Sequence, residues 1–182
     1  MEVKVEILLT RHGQTDWNVE GKVQGRADIE LNEKGLEQAI QTSKILAEEE
    51  IDLIICSPLK RTKQTADIIN IDRNIPIIYD DSIIERDFGE FEGLNKKNFD
   101  FEGYWSYNQN NKYERAENIK DFFDRVYSFL DKIKKEYNDM KILIVAHGGI
   151  SIPINCYFNG IPEDDKLLKL VLGNCEVIKY KY

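Results

Sequence analysis

The chain has 182 residues, 42% hydrophobic and 32% charged, with a net charge of −8, which describes one domain with a full core and leaves little length for a second. The negative field repels polyanions and no basic patch offsets it, so nucleic acid is excluded as a partner, while a small anion is admitted wherever a focused cationic pocket overrides the global sign. No apolar run approaches the about 20 residues that span a bilayer, and Met1-Glu2-Val3-Lys4-Val5 enters a strand pattern without a secretion signal, so the expectation is a cytoplasmic protein with no membrane partner.

Residues 3–9 predict a buried strand, followed by a loop rich in Gly, Asn and Asp as far as residue 32. Asn32 can cap the next helix, Glu33 suits its first turn, and Leu36, Ala39, Ile40, Ser43, Leu46 and Ala47 keep helical spacing. A second short strand at 52–56 runs into Ser57-Pro58, with the proline expected in the first turn of a helix that continues to about residue 70. Extended pieces are expected at 75–79 and 82–84, then a loop at 85–93. Residues 94–114 set Phe99, Phe101, Tyr104, Trp105, Tyr107 and Tyr113 among Asn, Lys and Asp, the composition of an inserted cover that is either a pinned surface excursion or a substrate lid.

Ile119, Phe122, Phe123, Val126, Phe129, Leu130 and Ile133 then recur at helical spacing and predict a long amphipathic helix over 116–137 whose aromatic stripe faces the core. A buried strand at 141–146, a short helix at 150–158 and two closing strands at 167–172 and 176–180 complete the chain. Strands alternating with helices predict an α/β fold, a three-layer sandwich with a mainly parallel central sheet flanked by helices, in a single domain over 1–182. An exposed edge strand near the C-terminus is where two subunits would pair as a homodimer. Cys56, Cys156 and Cys175 are odd in number and scattered, which suits buried, reduced thiols rather than disulfides or a zinc site.

The chemistry gathers around the only two histidines of the chain. Each stands before glycine at the carboxyl edge of an expected strand, His12 in Thr10-Arg11-His12-Gly13 and His147 in Ala146-His147-Gly148-Gly149. That edge is where α/β sheets hold their ligands. Arg11, His12, Arg61 and His147, drawn together by a parallel sheet, form a positive cluster that an acidic protein keeps only against an anion. Phosphate fits, because two guanidinium forks grip its oxygens, Asn18 adds a donor, and the backbone amides of Gly13, Gly148 and Gly149 can approach closely.

Several segments carry a family resemblance: Leu9-Thr10-Arg11-His12-Gly13-Gln14-Thr15-Asp16-Trp17-Asn18, Gln24-Gly25, Leu31-Asn32-Glu33-Lys34-Gly35, Ser57-Pro58-Leu59-Lys60-Arg61-Thr62-Lys63-Gln64-Thr65-Ala66, residues 85–93, and Val145-Ala146-His147-Gly148-Gly149. In this order they resemble the histidine phosphatase superfamily, which includes phosphoglycerate mutases and small phosphatases, over nearly the whole chain. The resemblance implies that His12 is the nucleophile that becomes phosphohistidine, that Arg11, Arg61, Asn18 and His147 hold the equatorial phosphoryl oxygens, and that Glu85 protonates the leaving group and then activates water. Gln24, Gly25 and Gly148 match pocket positions, and Thr15 is expected to add a hydroxyl. The helix-start residues Glu33, Lys34 and Gly35 are read as structural. No metal and no cofactor is implied, and the substrate would be a small phosphorylated metabolite.

Three readings follow from the resemblance: a metal-independent phosphomonoesterase, a phosphoglycerate mutase, and a phosphate-binding module without turnover. The first is favoured. Mutases of the family carry longer insertions between the acid and the second histidine, Phe88 and Asp87 replace a tyrosine and a histidine expected beside Glu85-Arg86, and residues 97–114 lack the paired arginines that grip phosphoglycerate. Ala116-Glu117-Asn118 also stands where a Gly-Glu-Ser turn is usual. Lys96, Lys97 and Lys112 remain available to an acidic substrate, and the aromatic residues to a nucleoside, aryl or other bulky leaving group.

Overall fold

The computed structural model describes residues 4–182, so the expected beginning of the first strand at Val3 lies outside the described residues. The elements in chain order are β1 (Glu6–Arg11), α1 (Asp16–Val19), α2 (Glu33–Ile45), β2 (Leu53–Cys56), α3 (Lys60–Ile69), β3 (Ile77–Tyr79), α4 (Phe101–Tyr104), α5 (Ile119–Glu136), β4 (Lys141–Ala146), α6 (Gly148–Asn159) and β5 (Val177–Lys181). The strands form one sheet in the order β3-β2-β4-β1-β5. β1, β2, β3 and β4 run parallel to one another, and β5 runs antiparallel to β1 at one edge.

Apolar runs without polar alternation build this sheet, because both of its faces are covered. Along β1, Ile7 and Leu9 join one core with α5 and α6, while Leu8 joins the other beneath α3. The same period of two sends Leu53 and Ile55 of β2, and Ile142 and Ile144 of β4, to the first core. Ile54, Cys56, Leu143 and Val145 go to the second. The result is the expected three-layer α/β sandwich. The stripe from Ile119 to Ile133 on α5 is fully packed in the larger core.

Two expected strands are turns instead. Residues 82–84 lie at a 3-10 turn, Asp81–Ile83, because Asp80 Oδ1 accepts the Ser82 amide and caps it. Leu167–Leu170 is likewise a 3-10 turn rather than a strand. The free edge of β1 is already taken by β5, and the 167–172 segment crosses α6 instead, where the Ser151 hydroxyl accepts from the Leu172 amide and shares its hydrogen between the Gly148 and Leu170 carbonyls. Pro58 precedes the α3 N-cap, Leu59, rather than entering the first turn. The unforeseen short helix α1 is set by a capping box between Thr15 and Asn18.

Asn32 does cap α2, accepting the Gly35 amide at 2.9 Å. A side chain at Gly35 would collide with the Gln14 carbonyl, and one at Gly13 with the Gly35 carbonyl, so the first turn of α2 lies directly against the loop that follows β1. Gly35→Ala is therefore expected to lower stability by about 1–3 kcal/mol through overpacking. A urea midpoint equal to that of the parent protein would refute this close approach.

Candidate active site

β1 and β4 pair with Arg11 opposite Ala146, so the next residue of each strand, His12 and His147, leaves the sheet beside the other. Their ring centroids are 5.4 Å apart at an interplanar angle of 61°, and both side chains are buried. His12 Nδ1 lies 2.7 Å from the Gly13 carbonyl oxygen. A carbonyl only accepts, so the proton sits on Nδ1 and Nε2 keeps its lone pair. Burial first, then the charges of Arg61 and Arg11, hold the His12 pKa well below the ordinary value and keep the ring neutral. His147 is held down by burial and then by Arg61. Its Nε2 lies 2.7 Å from Ser57 Oγ, and its Nδ1 is buried with no partner among the described residues.

Arg61 projects from α3 with no exposed surface; its Nη1 donates to the Ala27 carbonyl at 2.7 Å and its Nη2 to the Gly25 carbonyl at 2.8 Å. Burial lowers its pKa to about 10, which leaves it charged at neutral pH. Arg11 donates from Nη1 to the Leu172 carbonyl at 2.8 Å. The Nε of each arginine is buried without a partner among the described residues. Two guanidinium donors and one imidazole nitrogen are thus buried without partners among the described residues, a cost that a ligand able to bond them would relieve.

Glu85 is buried in the same place. One carboxylate oxygen accepts the Arg86 amide and the other the Gly149 amide, each at 2.9 Å. Burial outweighs these amides and the nearby arginines and raises the pKa, so the carboxyl holds its proton at higher pH than an exposed glutamate. A side chain at Gly149 would collide with Glu85 and lie 2.7 Å from the Trp105 ring, so only glycine lets the α6 N-terminus come this close.

These groups open onto a cleft of about 750 Å³ lined by Arg11, His12, Asn18, Gln24, Gly25, Arg61, Glu85, Gly148 and Gly149. His147 is not itself among the lining residues. Gly25 has φ of +51° and gives its carbonyl to Arg61, while Gln24 keeps a buried Oε1 without a partner among the described residues. Thr15 is placed differently from the expectation. Its hydroxyl donates to Asn18 Oδ1 and accepts the Asn18 amide, so it holds Asn18 rather than lining the cleft. The outer wall comes from the 94–114 segment through Lys96, Phe99, Phe101 and Trp105.

The sequence pattern of the histidine phosphatase superfamily (branch 1) matches residues 7–182. The chain belongs to that superfamily. The Bacillus subtilis (strain 168) protein described as uncharacterized phosphatase PhoE is 37% identical over 179 residues, 97% of this chain and 90% of that protein. Phosphoserine phosphatase 1 of Hydrogenobacter thermophilus is 32% identical over 149 residues, 79% of this chain and 71% of its own length. The structure of Bacillus stearothermophilus YhfR superposes with a TM-score of 0.87 at 29% identity, over 96% of this chain and 90% of that one. Superfamily membership and these relatives make the chain a phosphatase. Among the described residues, no helix is long and apolar enough to cross a membrane.

The site also uses three residues to which the motifs assign no role, Asn174 outside the matching segments and Arg86 and Ser57 within them. Asn174 lines the cleft and donates to the His12 carbonyl at 3.0 Å and to Asn18 Oδ1 at 3.3 Å, brought there by the turn that leads into β5. Arg86 is fully buried, donates to the Tyr104 and Glu117 carbonyls, and lies 3.7 Å from the centre of the Tyr104 ring. It fastens the aromatic segment to the loop that carries Glu85, and its position next to Glu85 was the available signal. Ser57 is the third.

Proposed function

We propose that this phosphatase hydrolyses phosphomonoesters without a metal ion through a phosphohistidine on His12. The observation that carries this reading is the Nδ1 bond to Gly13, which leaves Nε2 as a free nucleophile beside Arg11 and a charged Arg61. Nε2 attacks phosphorus, the ester P–O bond breaks, and the Glu85 proton passes to the departing oxygen. Water then gives a proton to the Glu85 carboxylate and attacks the same phosphorus. The P–N bond breaks, inorganic phosphate leaves, and His12 returns to its neutral form. Arg11, Arg61, Asn18 and His147 spread the charge of the transferring group while the attacking and leaving atoms stay in line.

The substrate is a small phosphorylated metabolite whose leaving group meets Phe88, Phe99, Phe101 and Trp105. Among the described residues Arg11 and Arg61 are the only arginines lining the cleft, and both belong to the phosphoryl site in this reading, which supports hydrolysis over phosphoglycerate mutation. A cytoplasmic location, in keeping with three free buried cysteines, and pairing of two subunits along the outer edge of β5 belong to the same reading.

Since side chains supply all the charge stabilisation in this reading, the purified protein is expected to release p-nitrophenol from p-nitrophenyl phosphate without added metal and to keep its rate in chelator. Full loss on chelation would remove the metal-free mechanism. Tight phosphate binding with no turnover of any ester would instead favour a binding module.

A further inference from the structure

We propose that Ser57 is a positioning residue that fixes His147 in the tautomer with its proton on Nδ1, so that Nδ1–H is presented to the transferring phosphoryl group. The sheet register brings the two residues together. Cys56 of β2 lies opposite Val145 of β4, the Ser57 amide donates to the Val145 carbonyl at 3.0 Å, and the two chains leave the same sheet edge side by side. Ser57 Oγ then stands 2.7 Å from His147 Nε2, with both residues buried. Thr62, from the first turn of α3, shares its hydroxyl hydrogen between the Leu59 carbonyl at 2.6 Å and the Ser57 carbonyl at 2.8 Å and so steadies the backbone that aims Oγ.

The hydrogen-bond inventory decides the direction of that bond. His147 Nε2 is the one hydrogen-bond partner of Ser57 Oγ among the described residues. If the hydroxyl donates to Nε2, its hydrogen is satisfied and the group left over is Nδ1–H, a donor of the kind a phosphoryl oxygen accepts. If Nε2–H donates to the hydroxyl, the hydroxyl hydrogen is stranded and Nδ1 offers a lone pair that repels the same oxygen. Donation by Ser57 is the arrangement that leaves no hydroxyl hydrogen stranded in the buried pair, with Nδ1 then the nitrogen that keeps the ring proton. The two imidazoles are therefore set by different devices to complementary ends: a backbone carbonyl leaves His12 a free lone pair, and a serine hydroxyl leaves His147 a free N–H.

The test uses the full-length, untagged chain labelled with nitrogen-15, whose two histidines give only two sets of ring signals. The spectrum of His12→Ala, with one ring remaining, assigns His147. The wild type is expected to show His147 Nδ1 as the protonated nitrogen near neutral pH, and Ser57→Ala to lose that signature. Ser57→Ala is also expected to lower kcat by about 10–100-fold with KM nearly unchanged, because the donor acts most on the transition state, and Ser57→Thr to recover much of the loss. If Ser57→Ala does not fold, Ser57→Cys, with its weak S–H donor, carries the same comparison.

A wild-type ring protonated on Nε2, or an unchanged tautomer in the variants, overturns the proposal. The kinetic arm rests on the phosphatase reading, but the spectrum does not. A protein without turnover on any ester would sink that reading while the ring signals still decide the role of Ser57.

Discussion

Replacing His12 by alanine is expected to lower turnover of p-nitrophenyl phosphate by about 10⁴-fold or more, since the substitution removes the atom to which the proposed mechanism bonds the phosphoryl group and no neighbouring residue replaces it. His147→Ala is expected to keep a higher residual rate, because in the proposed mechanism His147 stabilises charge without forming a bond. A covalent assay adds a second readout. Brief incubation with a radiolabelled ester, stopped in alkali where a P–N bond survives better than in acid, should leave label on the wild-type chain and none on His12→Ala. Turnover near the wild-type rate in this variant would end the nucleophile assignment.

The same variant has a signature in stability. Both histidines have pKa values well below 6.5 in the folded protein, because burial and the two arginines oppose a further positive charge. The unfolded chain binds protons as pH falls through about 6.5 while the folded chain does not, so this difference lowers stability on the acid side. Removing one of the two rings should therefore flatten the loss of stability between neutral pH and about pH 5, as read from denaturant midpoints along a pH series.

How much of this was legible in the sequence depended on whether the signal was local. The strand ends at His12 and His147 carry their own punctuation, an apolar run ending in His-Gly, and the parallel register then forces the two residues together. The Asn32 cap and the α5 stripe are equally local. The 167–172 segment was not legible, because its apolar run is compatible with a strand and only the occupation of the β1 edge by β5 denies it a partner. Asn174 and Ser57 were missed for a related reason. Nothing around an asparagine near the C-terminus points to His12, and Ser57 beside a proline reads as the start of a helix until the β2–β4 register places its hydroxyl on His147. Thr15 shows the opposite error, since a hydroxyl three residues from Asn18 reads as a ligand donor when the local geometry needs it as a cap.

Glu85→Gln is expected to divide substrates by leaving group. An alkyl phosphate releases a strongly basic alkoxide and needs the proton, so its rate should fall by about 10²–10⁴-fold. p-Nitrophenolate leaves without protonation, so the first step on p-nitrophenyl phosphate should be nearly spared. Hydrolysis of phosphohistidine then becomes limiting and produces a burst of nitrophenol. The pH profile should change with it. Burial raises the Glu85 pKa, so in the wild type the acid form persists to higher pH than in an exposed glutamate, and kcat/KM for alkyl esters falls on the alkaline side as the proton is lost. The variant has no such limb. Glutamine offers one acceptor oxygen where Arg86 and Gly149 each present an amide, so an accompanying loss of about 1 kcal/mol of stability is expected and does not depend on the leaving group. That independence separates structure from chemistry: an equal fall for both esters, with no burst and an unchanged alkaline limb, would remove Glu85 as the proton donor and leave it a bracket for the α6 N-terminus.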